Sequence, residues 1–107
     1  MITVTIVTNK EGELDTLIVN GHAQASKQEH SLVCAGVSSV VTGGFNSLDT
    51  EHCDFVLESG NAVLTIKKPL TPFLKGSIHT ILVSLETLAE SFKDFIKIVK
   101  ITAKEKK

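Results

Sequence analysis

Two β-hairpin patterns, each followed by a helical pattern, constrain the fold of this chain of 107 residues. Residues 2–8 alternate and are rich in Ile, Val and Thr, and a second strand pattern covers residues 13–20. The turn between them, residues 9–12, has the composition Asn-Lys-Glu-Gly. Residues 53–58 and 62–68 repeat the arrangement around a short turn that contains glycine. Sequential hairpins of this kind favour antiparallel pairing within one sheet.

The helical patterns follow the hairpins directly. Apolar residues at helical spacing predict a first helix over residues 32–48. Thr71 is a natural N-cap and Pro72 suits the first position of a second helix, which extends to about residue 93. Residues 95–101 predict a last strand. The order β-β-α-β-β-α-β indicates an α+β fold, an antiparallel or mixed sheet with two packed helices, in a single domain of residues 1–107.

Two glycines of the first helical pattern, Gly36 and Gly43, lie seven residues apart on one flank of its apolar stripe. Each costs a helix about 1 kcal/mol relative to alanine. Their position on one flank of the helix indicates close approach by another backbone or by a ligand. A packing contact between small residues is the simpler interpretation.

Composition excludes several classes of partner. The formal net charge is −1, so the chain lacks the basic surface that a nucleic-acid partner requires. No apolar run approaches the ~18 residues of a membrane span, and the first residues lack the pattern of a signal peptide. We therefore expect a cytoplasmic protein, no membrane partner, and reduced thiols at Cys34 and Cys53.

The chemistry of the chain centres on His22, the first residue of a polar segment without apolar periodicity (residues 22–31), and on Cys34, which lies three residues beyond it. His22 ends the second strand pattern, and Cys34 begins the first helical pattern. With Ser31 as the N-cap, Cys34 becomes the third helical residue, where unpaired N–H groups favour a thiolate and contribute to an oxyanion hole. An imidazole at the adjacent strand end can take the thiol proton and return it to a leaving amine.

Other interpretations of these residues remain open. A cysteine on an amphipathic helix is often a small packed hydrophobe, and we expect that role for Cys53. A metal-binding domain would use the His and Cys residues, but their spacing matches no standard zinc signature. We expect no metal site and, without a glycine-rich phosphate motif, no cofactor. The residues of the metal alternative are His22, His30, Cys34, His52 and Cys53.

The segments Gly21-His22-Ala23 and Val33-Cys34-Ala35-Gly36-Val37-Ser38 resemble the ribosomal-processing cysteine protease Prp family, as do the length and the element order. The resemblance implies a cytoplasmic, homodimeric endopeptidase. It further implies a substrate: the N-terminal extension of large-subunit ribosomal protein twenty-seven, cleaved after a Phe-rich hydrophobic sequence.

The resemblance also implies residue roles. Cys34 would be the nucleophile, His22 the general base, Gly21 the residue that shapes the turn presenting His22, and Ser38 a residue lining the same cleft. Residues 22–31 would form a cover over the substrate.

Two positions depart from the family pattern. Ser31 stands where an Asp is common, and Gly36 stands where an Ala is common. Serine still caps a helix, so the fold should persist. Any acidic role at position 31 would be missing or would be taken by Glu29.

The competing hypothesis is a non-catalytic, ribosome-associated peptide-binding module, which the Ser31 departure favours. Thiol reactivity separates the two, because a catalytic Cys34 should be alkylated in the folded protein, whereas a structural Cys34 should react only after unfolding. Cys53 serves as the internal control.

Overall fold

The computed structural model describes residues 1–21 and 27–103, with only the backbone described for residues 27–31. The strands and helices follow the predicted order. In chain order they are β1 (Ile2–Thr8), β2 (Leu14–Gly21), α1 (Lys27–Asn46), β3 (Cys53–Glu58), β4 (Asn61–Ile66), α2 (Pro72–Ser91) and β5 (Ile96–Thr102).

The five strands form one mixed sheet in the order β3-β4-β2-β1-β5. Both hairpins and the β2–β4 pair are antiparallel, whereas β1 and β5 run parallel. The parallel pair follows from the long α2 connection, because a helix crossover returns the chain to the same end of the sheet. The predicted α+β class with a mixed sheet is confirmed.

Both helices pack on the same face of the sheet. Val33, Val37 and Val41 from α1 are buried, as are Leu74, Ile78, Ile81 and Leu85 from α2. The sheet contributes alternate residues to this core, in keeping with the period of two along a strand. Phe45 of α1 is fully buried and its ring centroid lies 5.8 Å from that of Phe55 in β3.

Helix α2 begins as the sequence predicts. Thr71 has extended backbone angles, and its hydroxyl oxygen accepts a hydrogen bond from the Leu74 N–H at 3.2 Å. Pro72 occupies the first helical position, where its missing N–H costs nothing. No helix in the described part of the chain is long and apolar enough to cross a membrane.

Helix α1 begins earlier than predicted, at Lys27 and not at residue 32. Residues 27–31 have no apolar residue to mark a buried face, yet Lys, Gln and Glu are favourable helix formers. The prediction that Ser31 caps this helix is therefore wrong, because Ser31 is its fifth residue. The predicted loop of residues 22–31 is helical from Lys27 onward, and residues 22–26 lie outside the described part.

Candidate active site

A groove of about 520 Å³ runs between helix α1 and the β3–β4 hairpin. Its α1 wall carries Cys34 and residues that follow it at helical spacing. Its floor comes from β1, β2 and the inner face of the hairpin. The groove-lining residues are Ile2, Val19, Gly21, Cys34, Val37, Ser38, Val41, Thr42, Leu57, Glu58, Ser59, Gly60, Asn61 and Ala62.

Cys34 lies on the wall of this groove. It is half-buried and packs against the hydrophobic core, so the sequence prediction of a thiol at the rim of the apolar stripe agrees with the structure. It is, however, the eighth residue of α1 and not the third. Backbone N–H groups beyond the first four of a helix are used within it, so first-turn amides do not explain Cys34.

Gly21 ends β2 and is one of the residues that line the groove. Its φ of +99° lies in the region that glycine adopts readily, and a Cβ at this position would collide with the Met1 carbonyl oxygen. Its N–H donates to the Gly60 carbonyl at 3.0 Å, which joins the strand end to the β3–β4 turn. The backbone therefore requires glycine immediately before His22.

The other predicted site residues divide into two groups. Ser38 is exposed and lines the groove one turn after Cys34. His22 lies outside the described residues, and the side chain of Ser31 is likewise outside them. The proximity of His22 to Cys34 therefore stays a prediction. It is supported by the position of the preceding residue, Gly21, which lines the same groove as Cys34.

The second cysteine is a core residue. Cys53 is fully buried on β3, and burial, followed by the negative charge of Asp49, raises the pKa of its thiol. The side chain of the preceding residue, His52, is hydrogen-bonded to Asp49, with Nδ1 at 2.8 Å from Oδ1. Among the described side chains, no three His, Cys, Asp or Glu residues are grouped so as to hold a metal ion.

Sequence reasoning missed the second wall of the groove. Residues of the β3–β4 turn face α1 only because β4 pairs with β2, and no local pattern predicts that pairing. It also missed Thr42, although a usable signal existed. Thr42 lies eight residues after Cys34, which places it about 80° around the helix from Cys34 and therefore within the same face.

A groove with a half-buried cysteine on a helix, next to the strand end at Gly21, is the kind of site that a small cysteine protease requires. The family model for "Cysteine protease Prp" matches residues 1–97. The ribosomal processing cysteine protease Prp of Staphylococcus aureus is 33% identical over 103 residues, covering 92% of this chain and 97% of that protein. The chain belongs to the Prp family of ribosomal processing cysteine proteases.

Solved structures agree with this assignment. The crystal structure of S. aureus Prp with a covalently linked product peptide has a TM-score of 0.82 at 31% identity, covering 94% of this chain and 99% of that one. The same enzyme with a substrate peptide gives a TM-score of 0.81 at 30% identity, with the same coverage. A Streptococcus mutans protein shares the fold, with a TM-score of 0.75 at 23% identity over 96% of each chain.

Proposed function

We propose that this chain, as a single domain of residues 1–107, is an endopeptidase that removes the N-terminal extension of large-subunit ribosomal protein twenty-seven. The observation that carries the proposal is the position of Cys34 on the wall of a 520 Å³ groove that Gly21 also lines. Family membership among ribosomal processing proteases supports the substrate, and the apolar floor suits a Phe-rich, hydrophobic sequence before the scissile bond.

The proposed reaction is acyl transfer through a thioester. His22 takes the proton of the Cys34 thiol as Sγ attacks the scissile carbonyl carbon, and the same imidazole then protonates the departing amine as the C–N bond breaks. Water attacks the thioester, which releases the carboxylic acid product and restores the thiol. The product peptide that is covalently linked to S. aureus Prp supports covalent chemistry in this family.

Supporting roles fall to Gly21, Ser38 and position 31. Gly21 sets the backbone direction into His22, and Ser38 offers a hydroxyl in the cleft. Ser31 replaces the acidic residue common in the family, and we propose that catalysis proceeds without a carboxylate there. We place the protein in the cytoplasm, where the nucleophilic thiol stays reduced.

We also propose a homodimer, in which the sheet face opposite the helices pairs with its copy. Five residues in register cross this face as one largely apolar row: Val56, Val63, Ile18, Thr5 and Val99. Acidic residues (Asp54 and Glu58) flank the row on β3, and Lys97 flanks it on β5. A two-fold axis parallel to the strands places the β3 edge of one copy over the β5 edge of the other and pairs Glu58 with Lys97, whereas Asp54 already has an ion-pair partner in Lys67 at 3.2 Å.

Cleavage of a synthetic peptide tests the protease. The peptide carries the host's own N-terminal extension of the ribosomal protein through the cleavage point, and mass spectrometry identifies the products. We expect cleavage by the unmodified chain and by Cys53→Ala, and none by Cys34→Ala or His22→Ala. A peptide that binds but is not cut by the unmodified chain would instead support the non-catalytic binding module.

A further inference from the structure

The groove wall formed by α1 has a regular layout. Cys34, Ser38 and Thr42 follow one another at every fourth position, so they occupy a strip about 80° wide on one side of the helix. Val37 and Val41 run beside them and are buried, at 6% and 4% exposure. The wall therefore carries a polar track that starts at Cys34, next to an apolar track that faces the floor.

The hydroxyls of the polar track differ from those of the other helix. In α2, Ser77, Thr80 and Thr87 each donate to the carbonyl four residues earlier, at 3.2, 3.1 and 2.8 Å. Within the described part of the chain, Ser38 and Thr42 make no side-chain hydrogen bond. Their hydroxyls can therefore serve the amide groups of a ligand in the groove, since each can both donate and accept.

The opposite wall complements this track. Leu57 and Ala62 present apolar surface from the β3–β4 hairpin, and Ala62 is buried at 7% exposure. A peptide in the groove thus meets hydroxyls on one flank and aliphatic groups on the other. Such a lining suits an extended segment with apolar side chains, because the backbone amides need partners when they leave water.

The length of the track sets the length of the segment. Eight residues of α-helix advance about 12 Å from Cys34 to Thr42. An extended peptide advances about 3.3 Å per residue, so about four residues span this distance. A scissile bond at Cys34 and a contact at Thr42 are therefore about four residues apart on the substrate.

We propose that the four substrate residues before the scissile bond lie along α1 from Cys34 to Thr42, and that Thr42 is a specificity-determining residue at the far end of this segment. The inference rests on the proposed protease function and on its hydrophobic sequence before the cleavage point. Ser38 serves the middle of the segment, and Val41 with Leu57 receives its apolar side chains.

Two peptides and two matched variants test the inference. One peptide retains four residues before the scissile bond, the other retains two, and both share the same sequence after it. Thr42→Arg places a bulky charge at the end of the track. Ser39→Arg makes the same change at an exposed position of α1 that does not line the groove.

For the unmodified chain, we expect the two-residue peptide to have a KM higher by about tenfold or more, the loss expected for a removed side-chain contact. Thr42→Arg should raise KM for the four-residue peptide to a similar degree and leave the two-residue peptide unchanged. Ser39→Arg should change neither. Equal effects of Thr42→Arg on both peptides, or none on either, would overturn the inference while the protease assignment stands. No cleavage of either peptide by the unmodified chain would overturn the protease assignment as well.

Discussion

Gly44 of α1 lies directly against Ile81 of α2, and a Cβ added at Gly44 would lie 2.6 Å from Ile81 Cγ1 and 2.9 Å from Cδ1. The side chain of Ile81 therefore packs directly against the backbone of α1 at Gly44, where there is room for the glycine hydrogen but not for a methyl group. Its neighbour Gly43 has nothing within 4 Å of such a Cβ. Of these two adjacent glycines, one is therefore packed against the other helix and the other has open space beside it, so they can serve as a matched pair for substitution.

The first prediction follows from this pair. Gly43→Ala should raise the free energy of unfolding by about 0.5–1 kcal/mol, because alanine restricts the unfolded chain and favours the helix. Gly44→Ala should lower it, since overpacking against buried Ile81 costs about 1–3 kcal/mol and exceeds that gain. Urea unfolding of both variants checks the signs. The same sign for both would contradict the contact.

The second prediction concerns the glycine before His22. Gly21 and Gly12 both have positive φ, +99° and +80°, but only Gly21 would place a Cβ against backbone. Gly12→Ala should cost about 1–2 kcal/mol from its backbone conformation alone. Gly21→Ala should cost more, and it should reduce kcat/KM for the peptide because the chain leading to His22 shifts.

Activity assays at a temperature where both variants are folded separate the two effects. The control, Gly12→Ala, should cleave the peptide as fast as the unmodified chain. Full activity of a folded Gly21→Ala variant would remove Gly21 from the site.

Local patterns predicted most of the fold. Strands β1 and β3 match their predicted ranges, and Thr71 caps α2 as expected, because alternation and capping are signals within a few residues. The prediction for the glycines was half right. Gly36 does contact Leu88, at 3.3 Å from its added Cβ, but Gly44 and not Gly43 meets the other helix. The angle at which two helices cross decides this, and no local pattern encodes it.

The site was predicted less completely for a similar reason. A cysteine on the rim of a helix could be placed from periodicity alone. The start of α1 could not, because residues 27–31 include no apolar residue and the buried apolar stripe begins only at Val33. The sheet order, and with it the hairpin wall opposite Cys34, depends on pairing between β2 and β4, in which Asn20 pairs with Asn61 and Thr16 with Thr65, far apart in the sequence.

The third prediction uses the two cysteines. Cys34 lines an open groove, whereas Cys53 is fully buried and burial raises the pKa of its thiol. Iodoacetamide should therefore modify Cys34 in the folded protein and Cys53 only in denaturant. Peptide mapping by mass spectrometry locates the label. Labelling of Cys53 at the native rate of Cys34 would contradict the core position.

The fourth prediction is a pH dependence. Asp49 Oδ1 accepts the backbone N–H of His52 at 2.8 Å and lies 2.8 Å from its Nδ1, and these bonds, the backbone bond first, hold the pKa of Asp49 below its usual value. A carboxyl with a lower pKa in the folded state stabilises the fold above its unfolded pKa and loses that contribution in acid.

Asp49→Ala should therefore lower the melting temperature at about pH 7, and the difference from the unmodified chain should shrink toward about pH 3. Asp49→Asn keeps an oxygen acceptor for the His52 N–H and should be less destabilised than Asp49→Ala. A difference that stays constant with pH would show that the charge of Asp49 plays no part.

The fifth prediction tests the proposed dimer with two exposed valines. Val56 lies on the outer sheet face at 49% exposure, and Val83 lies on α2 at 44% exposure. In the proposed dimer only Val56 becomes buried, so a lysine there must leave water within an apolar row, whereas a lysine at position 83 stays solvated. Val56→Lys should raise the dimer dissociation constant by about tenfold or more.

Analytical ultracentrifugation over a range of concentrations measures that constant for the unmodified chain and both variants. The dissociation constant of Val83→Lys should match that of the unmodified chain, because this substitution makes the same change in charge and hydropathy as Val56→Lys but on α2, away from the outer sheet face. A monomeric unmodified chain would refute the dimer itself. A dimer weakened by Val83→Lys and not by Val56→Lys would place the interface on the helical side, against α2, and would leave the sheet face open for another role.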